Sequence, residues 1–307
     1  MSRVLVTGAN GMLGKSVVNA LISSNQQVIT LTRKDVDLTD PAATYSFIEK
    51  SAPDVIIHCA ALVGGIQANI SGGGKFLLQN IAIDNSLLTA AEELQVKNLV
   101  YIGSSCMYPA NRETALTEDQ ILTGPLESTN ENYALAKIVG ARMVEAVALD
   151  YKYNWRTFIA SNLYGPNDHF GSDKSHLLSA IITKAIEAQE KKSSIEMWGD
   201  GEPRREFTFV DDFSEWISKS IGDLSSLPQY LNLGIGVDYT VKEFYQFVLD
   251  AIDYKTEIVP NPEKPNGNMR KLMDSSKARE YGWNPKTSIE SGIMTTINWY
   301  KSNKVEQ

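Results

Sequence analysis

Cysteine and histidine are nearly missing from this chain, with two of the first and three of the second in 307 residues. Two thiols, Cys59 and Cys106, cannot form a disulfide framework and point to a reducing, cytoplasmic setting. Three histidines without a ligand-spaced cluster argue against a zinc site. No apolar run approaches the ~20 residues of a membrane span. Met1-Ser2-Arg3 runs straight into an apolar segment, which leaves no room for a signal peptide. Positive charge is also scarce: 29 Lys and Arg stand against 37 Asp and Glu, a net charge of -8. That balance argues against a general nucleic-acid binder, although a local cationic cluster can still take an anionic ligand. There is no internal repeat and no low-complexity tract.

What is present begins at the N-terminus. Arg3-Val4-Leu5-Val6-Thr7 is a short, β-branched apolar run that reads as a buried strand. Gly8-Ala9-Asn10-Gly11-Met12-Leu13-Gly14 follows, and then the helical spacing of Val17, Val18, Leu21 and Ile22. Strand, glycine-rich turn and helix form the context of a dinucleotide fingerprint. Gly8 permits the tight turn, Gly11 lets backbone approach a pyrophosphate, and Gly14 lets helix and strand pack closely. The loop from Gly8 through Asn10, Gly11, Met12 and Leu13 is the candidate cofactor cradle, under the positive end of a helix dipole.

A second motif lies far downstream. Tyr133 and Lys137 stand at i and i+4, one face of a helix, where both side chains can act on one substrate atom. A phenol titrates near ~10, and a neighbouring ammonium is expected to lower that value. Such a pair hands a proton to a carbonyl oxygen while hydride reaches the carbon.

Strand-like runs alternate with helical ones. Val4–Thr7, Gln27–Thr32, Val55–Cys59, Asn98–Ile102 and Trp155–Ala160 read as strands. Helices fit between them at Lys15–Ser24, Ala42–Lys50, Phe76–Leu94 and Asn132–Lys152. The fold class is therefore α/β, a Rossmann-type doubly wound parallel sheet. The expected nucleotide-binding part covers residues 1–165, with a segment of about 205–240 returning to it. Residues 166–307 are expected mainly in a smaller α/β lobe, with short strands at Glu196–Trp198 and Tyr230–Leu233 and helices at Ser175–Ala188, Val210–Ile221 and Val241–Ile252. Ligands bind at the carboxyl ends of such strands, where Gly8, Ala60-Ala61, Ser104-Ser105-Cys106 and Asn162 fall. The second strand ends at Thr32-Arg33-Lys34 without the acid an NAD site usually carries there. Arg33 could pair with a 2′-phosphate, so NADPH is favoured over NADH, with a solvated loop charge as the alternative for Arg33. Asp35 and Asp37 keep the choice open, and Asp37-Leu38 fits the adenine pocket.

With both motifs in view, nearly the whole chain resembles the extended short-chain dehydrogenase/reductases of the nucleotide-sugar branch, and within it the GDP-L-fucose synthase family. The resemblance rests on Ala60–Ile66, on Gly103-Ser104-Ser105-Cys106-Met107-Tyr108-Pro109, on Tyr133-Ala134-Leu135-Ala136-Lys137, on Asn162–Pro166, on Ser175-His176, on Trp198–Phe207 and on Arg270–Asp274. It implies NADPH-dependent reduction at C4 of a GDP-4-keto-6-deoxy sugar together with epimerisation at C3 and C5. Ser104 would polarise the carbonyl, Tyr133 supply the proton, and Lys137 hold the nicotinamide ribose. The protons at C3 and C5 are acidic because they flank the ketone, and their removal gives an enolate that Ser104 and Tyr133 can stabilise. Cys106 is the matching base and His176 the matching acid, since thiols titrate near ~8.5 and imidazole near ~6.5. Read without the resemblance, Cys106 is a small buried hydrophobe and His176 an exposed helix-start residue. His58 and Cys59, inside an apolar strand, read as core. Ala60, Ala61 and His176 would also border the cofactor. Ser105, Asn162, Lys184, Trp198, Arg205 and Arg270 are candidates for the sugar nucleotide, Arg205 for the diphosphate because a guanidinium fork suits phosphate oxygens. Trp198 read alone is a core aromatic. Asn80 is a candidate for ordering backbone near the active centre. A homodimer through the helices Phe76–Leu94 and Asn132–Lys152 is implied by analogy.

Some features depart from the family pattern. Asn10 stands where an arginine often faces the 2′-phosphate, Ser71-Gly72-Gly73-Gly74 reads as a flexible segment, and Gly171-Ser172-Asp173-Lys174 differs from the common form. Three rival functions follow. One is a C4-reductase, with or without epimerisation, on a related GDP-4-keto sugar such as a 6-deoxy-heptose or 3,6-dideoxy-hexose. The second is a 4,6-dehydratase or 4-epimerase, disfavoured because Cys106-Met107 stands where a dehydratase wants Asp-Glu. The third is a non-catalytic NADPH-binding regulator, which intact Ser104, Tyr133 and Lys137 disfavour.

Overall fold

The structure is a computed structural model and describes residues 2–171, 175–264 and 267–304. Six parallel strands form the central sheet: β1 (Arg3–Thr7), β2 (Gln27–Leu31), β3 (Val55–His58), β4 (Asn98–Ser104), β5 (Asn154–Ala160) and, after a long excursion, β10 (Tyr230–Leu233). Their spatial order is β10-β5-β4-β3-β1-β2. The chain runs outward from β1 to β2 and then crosses back to β3, so the order reverses between β1 and β3, and a crevice opens there at the carboxyl ends.

Each strand is apolar on both faces because both are covered. In β1, Leu5 enters one core with Leu31, Ile56 and Leu99. Val4 and Val6 enter the opposite core with Val55, Ile57, Val100 and Ile102. Burial of one such side chain contributes about 1.5–3 kcal/mol, so a one-residue slip in β1 would lose several of these at once. The first face carries α2 (Pro41–Ser51), α3 (Ile66–Glu93) and α4 (Glu131–Tyr151); the second carries α1 (Met12–Ser23) and α6 (Val210–Ser220). Asp40 starts α2 by accepting the Ala43 N–H at 3.1 Å, with Pro41 in the first turn.

Two features differ from the sequence expectation. The helix expected at Phe76–Leu94 begins ten residues earlier, at Ile66, and continues through the glycine run, with one non-helical residue at Gly72. Gly73 serves close approach: a Cβ there would lie 2.5 Å from the Asn132 side chain at the start of α4, whereas one at Gly74 would meet nothing within 4 Å. Tyr230–Leu233 and α6, read from the irregular half of the sequence, pack on the central sheet and on α1.

The remaining elements are β6 (Asn162–Tyr164), α5 (Leu177–Lys191), β7 (Ile195–Trp198), β8 (Arg204–Arg205), β9 (Phe207–Phe209), β11 (Tyr239–Thr240), α7 (Val241–Ala251), β12 (Ile258–Asn261), β13 (Arg270–Lys271), α8 (Ser276–Glu280) and α9 (Ile289–Lys304). Most of them gather around a third core, while α8 packs on β10 with Ala278 in the core of the second sheet face. β7 pairs with β12, β6 with β9, and β8 lies between β11 and β13. Ile181, Ile182, Phe207, Phe244, Val248 and Ile293 fill the space between α5, α7 and α9. No helix among the described residues is long and apolar enough to cross a membrane.

Candidate active site

The turn after β1 can only be made of glycine. Gly8 has φ +64°, and a Cβ there would lie 2.8 Å from the backbone of Ala60. A Cβ at Gly14 would collide with the Gly8 carbonyl. Gly11 precedes the first turn of α1, and no side chain caps it. This leaves a backbone cradle under a helix N-terminus, which suits the pyrophosphate of a dinucleotide. Met12 and Leu13 form the first turn of that helix. Asn10 is exposed beside Lys15, whose ammonium donates to Asn167 at 2.9 Å. At the end of β2, Asp35 is folded back on Thr32, accepting from its N–H at 2.8 Å and its hydroxyl at 2.7 Å. Arg33 is exposed and pairs with Asp37 at 3.8 Å, while Leu38 is buried. The acid at the end of β2 is thus engaged by Thr32, and the exposed Arg33, paired with Asp37, is the cation beside it.

Across the crevice, β3 ends in Ala60-Ala61. The Ala60 N–H donates to Thr7 at 3.1 Å, and Asn80 of α3 clasps the next residue, accepting the Leu62 N–H at 2.7 Å and donating to its carbonyl at 3.0 Å. Asn80 therefore orders the loop on the sugar side of the cradle.

β4 delivers Ser104 at its last position. A tight turn follows, in which the Cys106 N–H donates to the Ser104 hydroxyl at 3.2 Å and Ser105 is buried. α4 brings Tyr133 to the same group: Ser104 and Cys106 both lie close enough to act on the phenol. Phe76 packs edge-on against the Tyr133 ring, centroids 6.5 Å apart. Lys137, one turn on, is buried with its ammonium 4.5 Å from the centre of the Tyr101 ring. Ser104, Cys106, Tyr133 and Lys137 therefore converge, as their sequence positions promised.

The electrostatics differ from the sequence expectation. Burial raises the Tyr133 phenol well above its ordinary value, Cys106 and Asp84 add to this, and only the Ser104 hydrogen bond opposes. Lys137 is itself lowered by burial, with Asp84 and Cys59 opposing. The expected depression of Tyr133 by Lys137 is not seen: Lys137 is not among the groups that act on the phenol, and desolvation is the largest influence. Tyr133 is held as a neutral phenol with its proton in place.

The Cys106 sulfur faces donors. Asn130 donates to it at 3.3 Å, and the Lys271 ammonium lies 3.9 Å away. Lys271 in turn pairs with Glu127 at 3.1 Å, both largely buried. Burial alone would lift the Glu127 carboxyl, but Lys271, Thr129 and Arg205 outweigh it and hold it below the usual range. Arg205 adjoins this group, its guanidinium donating to the carbonyls of Arg204 and Asn268. Sequence reasoning assigned no role to Glu127, Asn130 or Lys271, which only tertiary contacts bring to the Cys106 sulfur.

The other candidates stand as follows. His176 precedes α5 and faces Asp168, Nδ1 to Oδ1 3.3 Å. Burial pushes its imidazole down, but the hydrogen bond and charge of Asp168 prevail and raise it above its ordinary value. No recorded contact joins it to the Ser104–Cys106 group, and Ser172–Lys174 of the loop before it lie outside the described residues. Asn162 donates to the Glu206 carbonyl at 2.9 Å. Lys184 and Lys264 place their ammonium groups 5.1 and 5.2 Å from the Trp198 ring centre, and Trp198 is 40% exposed, so it is a surface platform where the sequence also allowed a core residue. Arg270 is engaged by Asp238 at 2.6 Å and by the Glu113 carbonyl at 2.7 Å. His58 is buried as expected but fully bonded, Nδ1 2.7 Å from the Thr7 hydroxyl and Nε2 3.0 Å from Asp84.

This glycine cradle facing a Ser, Tyr, Lys group matches a known pattern: the description of the NAD dependent epimerase/dehydratase family fits residues 4–234. The chain belongs to this family. The GDP-L-colitose synthase of Yersinia pseudotuberculosis is 41% identical over 98% of this chain and 99% of its own length. The GDP-L-fucose synthase of Azorhizobium caulinodans is 40% identical, covering 97% and 96%. Among solved structures, a GDP-mannoheptose C4 reductase from Campylobacter jejuni with NADP bound superposes with a TM-score of 0.87 at 29% identity, over 98% of both chains. The chain is thus an enzyme of the epimerase and reductase kind on a Rossmann-type fold.

Proposed function

We propose that this enzyme reduces C4 of a GDP-4-keto-6-deoxy sugar with NADPH and inverts ring carbons beside the ketone, as a GDP-L-fucose synthase does. The observation that carries the reading is the meeting of Ser104, Tyr133 and the Cys106 sulfur, with the Ser104 hydroxyl accepting the Cys106 N–H at 3.2 Å and both residues close enough to act on the phenol. Ser104 and Tyr133 are two neutral donors that can converge on one ketone oxygen. The bound cofactor supplies hydride to C4. Tyr133, kept protonated by its burial, releases its proton to the oxygen as charge develops there. The same two donors stabilise the enolate formed when a proton leaves C3 or C5. Cys106, whose sulfur accepts from Asn130 and faces Lys271, is the base for that step, and His176, kept protonated toward neutral pH by Asp168, is the acid.

The cradle of Gly8 to Leu13, with Ala60, Ala61, Arg33, Asp37 and Leu38, holds the dinucleotide; NADP fits the cation at the end of β2. Arg205 takes the diphosphate, with Lys184, Trp198, Asn162, Ser105 and Arg270 around the rest of the sugar nucleotide. Residues 1–165 with about 205–240 form the cofactor part, and most of the remainder of 166–307 the sugar-nucleotide lobe. The exposed apolar side chains Leu78 on α3 and Val139, Leu149 and Tyr151 on α4 suit a homodimer through these helices. Two free thiols suit a cytoplasmic location.

A second reading is reduction of a neighbouring GDP-4-keto sugar, a 3,6-dideoxy-hexose or a heptose, with less or no epimerisation. The colitose synthase and heptose reductase relatives favour it. NMR of the product formed from GDP-4-keto-6-deoxy-mannose and NADPH in deuterated water decides. Deuterium at C3 and C5 with a GDP-L-fucose product supports the first reading; reduction without deuterium supports the second. Failure to turn over any GDP-4-keto sugar overturns both.

A further inference from the structure

Behind the catalytic pair runs a line of buried polar side chains that the mechanism does not use. The Thr7 hydroxyl meets His58 Nδ1 at 2.7 Å, His58 Nε2 meets Asp84 Oδ1 at 3.0 Å, and the Tyr101 hydroxyl donates to Asp84 Oδ2 at 2.6 Å. Tyr101 turns its ring face to the Lys137 ammonium, 4.5 Å away. All five residues are at most 3% exposed. Gly140, one turn beyond Lys137, makes the approach possible, because a Cβ there would collide with the Tyr101 hydroxyl and Asp84.

A buried ammonium is costly unless an opposite charge compensates it. The groups that act on Lys137 are Asp84 from α3 and Cys59 from the end of β3. Burial pushes the Cys59 thiol up to about 12, so it is neutral at physiological pH. Tyr101 and Tyr133, which also face this space, are raised and neutral. The compensating charge is therefore the Asp84 carboxylate. It reaches Lys137 through Tyr101, whose ring gains electron density from the hydroxyl bonded to the carboxylate, and His58 and Tyr101 fix its two oxygens.

We infer that Asp84 is a positioning residue for the reaction: through Tyr101 it holds Lys137 charged and in register with Tyr133. This rests on the role of Lys137 given above. Asp84→Asn preserves shape but removes the charge and turns one acceptor oxygen into a donor. Lys137 then loses its proton more readily, and the alkaline limb of the pH profile for NADPH-dependent reduction moves to lower pH. At pH 9 turnover falls about tenfold relative to wild type, while at pH 6.5 it stays within about threefold. A merely structural loss would lower both alike.

The test is the pH profile of Asp84→Asn, run beside Lys137→Met and the double variant, with thermal unfolding of all three. An acid-shifted limb supports the inference. So does a double variant that melts higher than the sum of the single losses predicts, because it buries no unpaired charge. An unshifted limb with Lys137→Met inactive overturns the Asp84 role alone. An active Lys137→Met overturns the role of Lys137 itself. If Asp84→Asn does not fold, folding of the double variant supports the charge pairing, and its failure shows that Asp84 serves the fold irrespective of Lys137 and overturns the inference.

Discussion

The Lys271 ammonium lies between two acidic groups, 3.1 Å from the Glu127 carboxylate and 3.9 Å from the Cys106 sulfur. Lys271 is on β13 and Glu127 precedes α4, so the pair ties the sugar-nucleotide side of the molecule to the catalytic helix. Removing one partner of a buried pair leaves a bare charge, so Glu127→Leu is expected to cost about 3 kcal/mol in urea unfolding, and Glu127→Leu with Lys271→Met to recover most of it. Because the folded Glu127 carboxyl is depressed, its contribution is present at neutral pH and is lost as pH falls below the usual carboxylate range. Equal losses in the single and double variants would mean that the pair does not matter to stability.

Tyr133→Phe removes the proton donor but keeps the ring against Phe76. Hydride transfer, followed by loss of NADPH absorbance, is expected to fall by roughly 10²–10⁴ with cofactor affinity retained. Turnover within a few-fold of wild type would exclude Tyr133 as the donor.

Asp168→Asn withdraws the group that raises His176. The imidazole then loses its proton at lower pH, so proton exchange at the ring carbons, measured in deuterated water, declines earlier as pH rises. An unchanged alkaline limb would separate His176 from the acid role.

Glu206 is buried between backbone donors, the Gly236 N–H at 2.6 Å and the Met273 N–H at 3.1 Å, and burial still pushes its carboxyl up to about 7. The folded chain thus holds this proton more tightly than the unfolded one. Stability from this group is full below the unfolded value near ~4.3 and declines as pH rises to about 7, by at most about 4 kcal/mol in all. The urea midpoint should be higher at pH 5 than at pH 7.5, and Glu206→Gln should flatten that difference whatever it does to absolute stability. A wild-type midpoint that rises over this range would contradict the assignment.

Much of this site was legible in the residues. The glycine spacing from Gly8 to Gly14 announced the cradle because only glycine tolerates those contacts, and Tyr133 and Lys137 announced a shared helix face. The run Ser71–Gly74 misled because glycine lowers helix propensity locally, whereas Gly73 serves here to admit α4. Lys271 drew no attention beside Arg270, since adjacent strand residues point to opposite faces and only tertiary pairing reveals that Lys271 reaches the Cys106 sulfur.

By itself the sequence determined the strand and helix rhythm and the glycine-rich loop, and it named the candidate reacting groups, because each depends on neighbours within a few residues. Tertiary structure alone decided that Tyr133 is held as a phenol, that Glu127 and Lys271 neutralise each other beside Cys106, and that Asp84 stands behind Lys137. Those outcomes depend on desolvation and on charges from distant parts of the chain, and burial is a property of the packed molecule that no local pattern carries.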